Sequence, residues 1–95
     1  MYMKNKYIFL KRIYKEFVIV FKSKNHYQLY GNDILILKYF KIKNIINTLE
    51  YYNINYIILD NFDIIKKKVF DNNRYNELLY KYIVIELIRS SYEEI

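Results

Sequence analysis

The side chains of this chain that could do chemistry are mainly lysines and arginines, and they are concentrated in its first half. Residues 1–43 carry ten of these cations against Glu16 and Asp33, a net charge of +8, whereas residues 44–95 carry six against eight carboxylates, a net of −2. The lysine-rich codons of an AT-rich genome would raise the charge of both halves alike. The distribution therefore predicts a surface that faces a polyanion, with an ordinary solvated face as the alternative.

The other polar residues do not fit a catalytic or metal site. The chain has no cysteine and one histidine, too few thiolates and imidazoles for a zinc or metal-hydrolase site. His26 has no carboxylate or nucleophile near it in sequence, and Asp60, Asp63 and Lys66 lack the spacing of a nuclease site. No glycine-rich phosphate loop occurs. We expect a non-enzymatic protein without a cofactor or metal.

Length and hydropathy bound the organisation of the chain. Residues 1–95 are expected to form a single domain. No run of about 18 apolar residues could span a membrane, and the N-terminus lacks the apolar core of a secretory signal. We expect a cytoplasmic protein that does not enter membranes.

A hairpin at residues 16–33 organises the elements that must position the cations. Residues 17–21 are β-branched or aromatic and predict a buried strand, and residues 23–25 predict a turn. Residues 26–30 predict the returning strand. Its side chains alternate between two faces, with Tyr27 and Leu29 on one and His26, Gln28 and Tyr30 on the other.

Helices are predicted on both sides of this hairpin. Residues 4–15 place an apolar stripe on one helix face, formed by Tyr7, Leu10, Ile13 and Tyr14. The cations Lys4, Lys11, Arg12 and Lys15 fall largely on the other face. Gly31, the only glycine, can take a positive φ after the hairpin, and Asn32 or Asp33 can cap a following helix.

The rest of the chain predicts three helices and a second pair of strands. The helices cover residues 32–40, residues 44–52 and the chain from residue 74, and the strands cover residues 56–59 and 64–70. Asn53 can end the second helix in the left-handed conformation, and Glu77 is expected to pair with Lys81. Residues 64–70 could also be helical, but turn-forming residues on either side favour a strand. The order α-β-β-α-α-β-β-α indicates an α+β domain with one small sheet.

Residues 16–40 resemble the start of the N-terminal mismatch-recognition domain (domain I) of MutS proteins. In that family an apolar strand precedes the signature Gly-Asp-Phe-Tyr-Glu-Leu-Phe/Tyr and an acidic helix start, and the equivalents here are residues 17–22, 24–30 and 31–33. With similar later elements, the resemblance covers about residues 5–70. It implies that family's fold and contact with DNA through the hairpin residues Lys22, Lys24, Asn25, His26 and Gln28.

Departures from the family pattern limit what the resemblance implies. His26 and Gln28 replace the family's wedge phenylalanine and its neighbouring glutamate, and residues 41–44 replace two of its strands. Histidine can still stack on a base or contact phosphate, and glutamine can bond a base edge. DNA contact is therefore retained as an expectation, whereas mismatch specificity is not.

A winged helix-turn-helix is the alternative geometry for the same function. Residues 32–52 would form the helix-turn-helix, with Lys41 and Lys43 between its helices. The recognition helix would carry Asn44, Asn47 and Thr48. Residues 57–70 would form a wing whose lysines meet phosphate, namely Lys66, Lys67 and Lys68.

The leading hypothesis is thus a small basic DNA-binding protein that contacts duplex DNA, of the size typical of accessory proteins of plasmids and other mobile elements. Tyrosines, thirteen in all, could add stacking contacts. A homodimer would enlarge the site, with the C-terminal helix as its candidate surface. The alternative function is a protein-interaction module or inhibitor that uses a tyrosine-rich surface.

Overall fold

The computed structural model describes residues 2–35 and 44–93, which form an α+β domain, as predicted. The helices of this part of the chain are α1 (Tyr2–Ile13), α2 (Ile45–Tyr51) and α3 (Tyr75–Glu93). Its strands are β1 (Val18–Ser23), β2 (His26–Gln28), β3 (Tyr56–Asp60) and β4 (Asp63–Lys68), and a short 3-10 helix, Gly31–Asp33, follows β2. Residues 36–40 of the helix predicted over 32–40 lie outside the described residues.

The four strands form one mixed sheet in the order β2-β1-β3-β4. The central strands β1 and β3 are parallel, with Val18 opposite Tyr56 and Lys22 opposite Asp60. Each central strand pairs with an antiparallel neighbour at the sheet edge. Such hairpins need only a tight turn, whereas the parallel pair needs a crossover connection, which here includes α2. Because β3 lies inside the sheet, residues 57–70 do not form the separate wing of the alternative geometry.

Helices cover both faces of the central strands. Val18, Val20, Tyr56 and Ile58 face one core together with residues of α2 and α3. The intervening residues of the same two strands face a second core, which includes Tyr7 and Leu10 of α1. These strand residues are Ile19, Phe21, Ile57 and Leu59. Burial on both faces explains why the sequences of these strands are continuously apolar. We call the two sides of the sheet, with their helices, the α1 side and the α3 side.

Both hairpin turns contain residues other than glycine at positive φ. Lys24 has φ 49° in the turn between β1 and β2, and Asn61 and Phe62 have φ 52° and 70° between β3 and β4. Two positive φ values in a two-residue loop are the type I′ geometry that suits the twist of antiparallel strands. Asn53 ends α2 at φ 56°, which confirms its predicted role.

Three predictions about helix surfaces are wrong. Ile13 is 57% exposed, because α1 contacts the sheet mainly through Tyr7 and Leu10. Lys11 is largely buried, and its Nζ bonds Phe17 O, Asp33 Oδ1 and Tyr75 Oη. Glu77 pairs with Arg74 at 3.0 Å in place of Lys81, because the guanidinium bonds both carboxylate oxygens.

In residues 2–35 and 44–93, no helix has the length and apolar content needed to cross a membrane.

Candidate functional site

A buried carboxylate, Asp33, joins four separate segments of the chain. Its Oδ1 accepts hydrogen bonds from Lys11 Nζ at 3.2 Å and Tyr75 Oη at 2.7 Å, and its Oδ2 accepts from Ile19 N at 3.1 Å. Lys11 Nζ also donates to Phe17 O at 2.6 Å and to Tyr75 Oη at 2.8 Å. Asp33 thereby ties α1, β1 and α3 to the 3-10 helix.

The shortness of β2 explains why a carboxylate is needed at this place. Val18 N donates towards β3, to Asn55 O, so the next amide, Ile19 N, points to the opposite edge of β1. There β2 pairs only with residues from Phe21 onward. Asp33 takes the bond that a longer β2 would accept, because a buried unpaired amide is costly. Most of the helix that Asn32 or Asp33 was predicted to cap lies outside the described residues.

Burial controls the protonation of this cluster. Burial is the largest cause of the raised pKa of Asp33 and of the lowered pKa of Lys11. In each case the charge of the other residue of the pair opposes the shift. Burial also raises the pKa of Tyr7 and Tyr75, and the nearby Asp33 carboxylate adds to that increase. Both phenols consequently stay protonated and able to donate.

A cleft of about 510 Å³ lies directly above the cluster, between α1 and the 3-10 helix. Three cations and no carboxylate line it, and the full lining is Tyr7, Ile8, Lys11, Arg12, Lys15, Gly31, Asn32 and Tyr75. Gly31 has φ +57°, and a Cβ there would lie 2.8 Å from the ring of Tyr7. Only glycine fits this close approach. We call this cavity the basic cleft.

The cations of α1 extend the basic cleft along one flank of the helix. Lys4, Lys11 and Lys15 are spaced by seven and four residues, which brings them to one side of a helical path, with Arg12 beside them. Tyr14 N bonds Leu10 O at 2.7 Å, so the helical path continues past Ile13. Arg12 and Lys15 are exposed and pair with no carboxylate of residues 2–35 or 44–93. Their charges are available to a ligand.

The sheet register divides the predicted hairpin residues between the two sides. His26 lies opposite Ser23 and Gln28 opposite Phe21, which places both on the α1 side. Lys22 lies opposite Tyr27 on the α3 side. Lys24 and Asn25 form the exposed turn between the strands. The alternation expected for residues 26–30 is confirmed, since Tyr30 packs on Phe21 and Leu29 joins the α3-side core.

The predicted wing lysines are divided in the same way. Lys67 lies opposite Ile57 on the α1 side, with Nζ 5.0 Å from the ring centre of Tyr14. Lys66 and Lys68 lie opposite Ile58 and Tyr56 and belong to the α3 side. No common phosphate-facing surface of all three is therefore formed.

The predicted recognition helix has one of its asparagines in a structural role. Asn44 is the N-cap of α2, where its side chain accepts a hydrogen bond from Asn47 N at 3.3 Å. The Asn47 side chain is exposed. Lys41 and Lys43 lie outside the described residues.

Charge is consequently segregated by the sheet. The α1 side carries Lys4, Lys6, Lys11, Arg12, Lys15 and Lys67. Of the two carboxylates of residues 2–35, Asp33 is buried and paired with Lys11, whereas Glu16 is exposed beside Lys15 and accepts a hydrogen bond from Asn76 of α3. The cations of this side therefore outnumber its surface carboxylates among the described residues. On the α3 side, the lysines share the surface with carboxylates such as Glu50, Asp60, Asp63 and Glu77.

A second cleft, of about 320 Å³, lies at the carboxyl ends of β1 and β3. Lys22 and Lys24 line it, but so does Asp60, beside Asn61 and Phe62. Its mixed charge makes it a weaker anion site than the basic cleft.

Sequence reasoning missed Lys11, Asp33 and Tyr75 as a unit. The residues that bond Asp33 are 22 and 42 positions away in the chain, and no local pattern connects them. The one signal of this unit in the sequence is Gly31, the only glycine, which stands two positions before Asp33.

Comparison of the chain with protein-family models, with curated proteins and with solved structures found no match. The resemblance to the MutS mismatch-recognition domain therefore stays a prediction.

Proposed function

We propose that this chain is a small non-enzymatic DNA-binding protein that contacts the phosphate backbone of duplex DNA through its α1 side. The observation that carries the proposal is the segregation of charge between the two sides of the sheet. A surface on which cations outnumber carboxylates attracts a polyanion, and phosphate contacts supply most of the affinity for non-specific DNA.

The cations of the α1 side are spread over enough length to contact several phosphates of a DNA backbone. The 12 residues of α1 extend over about 18 Å. Lys4, Arg12 and Lys15 are exposed along it, Lys67 lies on the same side of the sheet, and Lys24 stands at the hairpin turn. Three to five phosphate contacts are therefore within the capacity of this side.

The β2 edge supplies side chains that could contact bases. His26 and Gln28 share the α1 side with these cations, and both are exposed. An amide can bond the edge of a base, and phosphate contacts position such a reader without specifying sequence themselves.

Binding to a random-sequence duplex across a salt series tests the proposal. With three or four phosphates neutralised, the logarithm of the association constant should fall with the logarithm of salt at a slope of about −2.7 to −3.6. Fluorescence anisotropy of a labelled duplex measures this slope. Absence of binding at about 50 mM salt would contradict the proposed function.

A further inference from the structure

We propose that the basic cleft binds the terminal phosphomonoester of a DNA strand, an inference that rests on the proposed function and assigns a specificity to it. The protein would then bind phosphorylated strand ends in preference to uninterrupted duplex. The free charge of the cleft and its accessibility to a chain end support this assignment.

The available charge of the cleft matches a phosphomonoester. Lys11 is already paired with Asp33 at 3.2 Å, so its charge is largely balanced. Arg12 and Lys15 remain, two cations without an acidic partner among the described residues. A phosphomonoester carries about −1.5 to −2 at neutral pH, whereas an internal phosphodiester carries a single negative charge. Arginine can also bind two phosphate oxygens at once through its planar fork.

The position of the cleft suits a chain end. It is an open depression beside α1 and the 3-10 helix. A terminal phosphate on a single-stranded overhang can turn into it and present all its free oxygens, whereas an internal phosphate is held on the convex surface of the duplex by the nucleotides on either side. At its wall, Gly31 presents backbone without a side chain, and the exposed amide of Asn32 can donate a hydrogen bond.

Two duplexes that differ in one group test the inference. Both carry the same single-stranded 5′ overhang, which ends in a phosphate in one duplex and in a hydroxyl in the other. We expect the phosphorylated duplex to bind about tenfold more tightly, the effect of roughly one additional charge-assisted contact. The double variant Arg12→Gln with Lys15→Gln should abolish this preference.

A matched variant separates the cleft from general electrostatics. Lys4→Gln with Lys67→Gln removes the same charge from the α1 side but leaves the cleft lining intact. This control should weaken binding to both duplexes by the same factor and keep their ratio. Far-UV circular dichroism should show that both double variants are folded.

The outcomes distinguish the inference from the proposed function. Equal affinity for the two duplexes, or a preference that survives the Arg12 and Lys15 changes, overturns the assignment of the cleft and leaves DNA binding in place. If neither duplex binds, both proposals fail. If a nucleoside 5′-monophosphate competes for the cleft while the two duplexes bind equally, the ligand is a free nucleotide and the strand-end assignment is wrong.

Discussion

Replacing Asp33 with alanine should be among the most damaging single changes to this fold. The carboxylate is fully buried and accepts three hydrogen bonds, one of them from the Lys11 ammonium. Its removal leaves the Ile19 amide without its acceptor and leaves the Lys11 ammonium with the neutral acceptors Phe17 O and Tyr75 Oη but without its carboxylate. Breaking a buried pair by removing one partner typically costs about 3–5 kcal/mol. Because small domains are stable by only about 5–15 kcal/mol, the variant should be marginally folded.

Urea denaturation followed by circular dichroism measures this loss. With a slope of about 1.5 kcal/mol/M, the midpoint should fall by roughly 2–3 M. Asp63→Ala is the matched control, because Asp63 is exposed at the start of β4, and it should change stability by no more than about 0.5 kcal/mol.

A double-mutant cycle with Lys11→Met tests whether the pair is the cause. Since each single change leaves the other charge buried and unpaired, the double variant should lose less than the sum of the two single losses, by about 2–3 kcal/mol. A loss below about 1 kcal/mol for Asp33→Ala, or strictly additive losses, would refute the account of this cluster.

Three further changes have expected outcomes. Gly31→Ala should lower the free energy of unfolding by about 2 kcal/mol, because alanine is disfavoured at φ +57° and its Cβ would meet Tyr7; an unchanged thermal midpoint would contradict this. Tyr7, Tyr56 and Tyr75 have raised folded pKa values, chiefly through burial. Above the ordinary pKa of 10.0 the unfolded state loses these protons while the folded state keeps them, so stability present below pH 10.0 should decline as pH rises beyond it. Tyrosinate absorbance should show that at least these three phenols ionise only on unfolding, and a single transition near pH 10 with the fold intact would contradict the assignment. Asn44→Ala should cost about 1 kcal/mol through loss of the α2 cap, seen as a lower melting temperature, and no shift would mean that the cap contributes little.

The elements of this fold follow from local sequence features. The β-branched runs of β1 and β3, the turn-forming residues between each pair of strands, and the positive φ of Gly31 and Asn53 all depend on neighbouring residues. The parallel pairing of β1 with β3 does not follow from local features, because it joins residues about 38 positions apart, such as Val18 and Tyr56. It depends on which helices cover the two faces of the sheet.

The candidate site was harder to predict for the same reason. Lys11 looked like one more surface lysine, since its helical position does not reveal that Asp33 and Tyr75 meet it. The strand pairing also divides the hairpin residues, because it places Lys22 on one side of the sheet and His26 on the other. The register had to be known before the charges could be assigned to a surface.

The most direct test of the central claim compares the two sides of the sheet at equal net charge. Lys4→Gln with Lys15→Gln removes two cations from the α1 side, and Lys22→Gln with Lys66→Gln removes two from the α3 side. Binding to a random-sequence duplex should weaken only for the first variant, with the salt slope reduced in magnitude by about 1.8. Equal losses for the two variants, or a loss confined to the second, would contradict DNA binding through the α1 side.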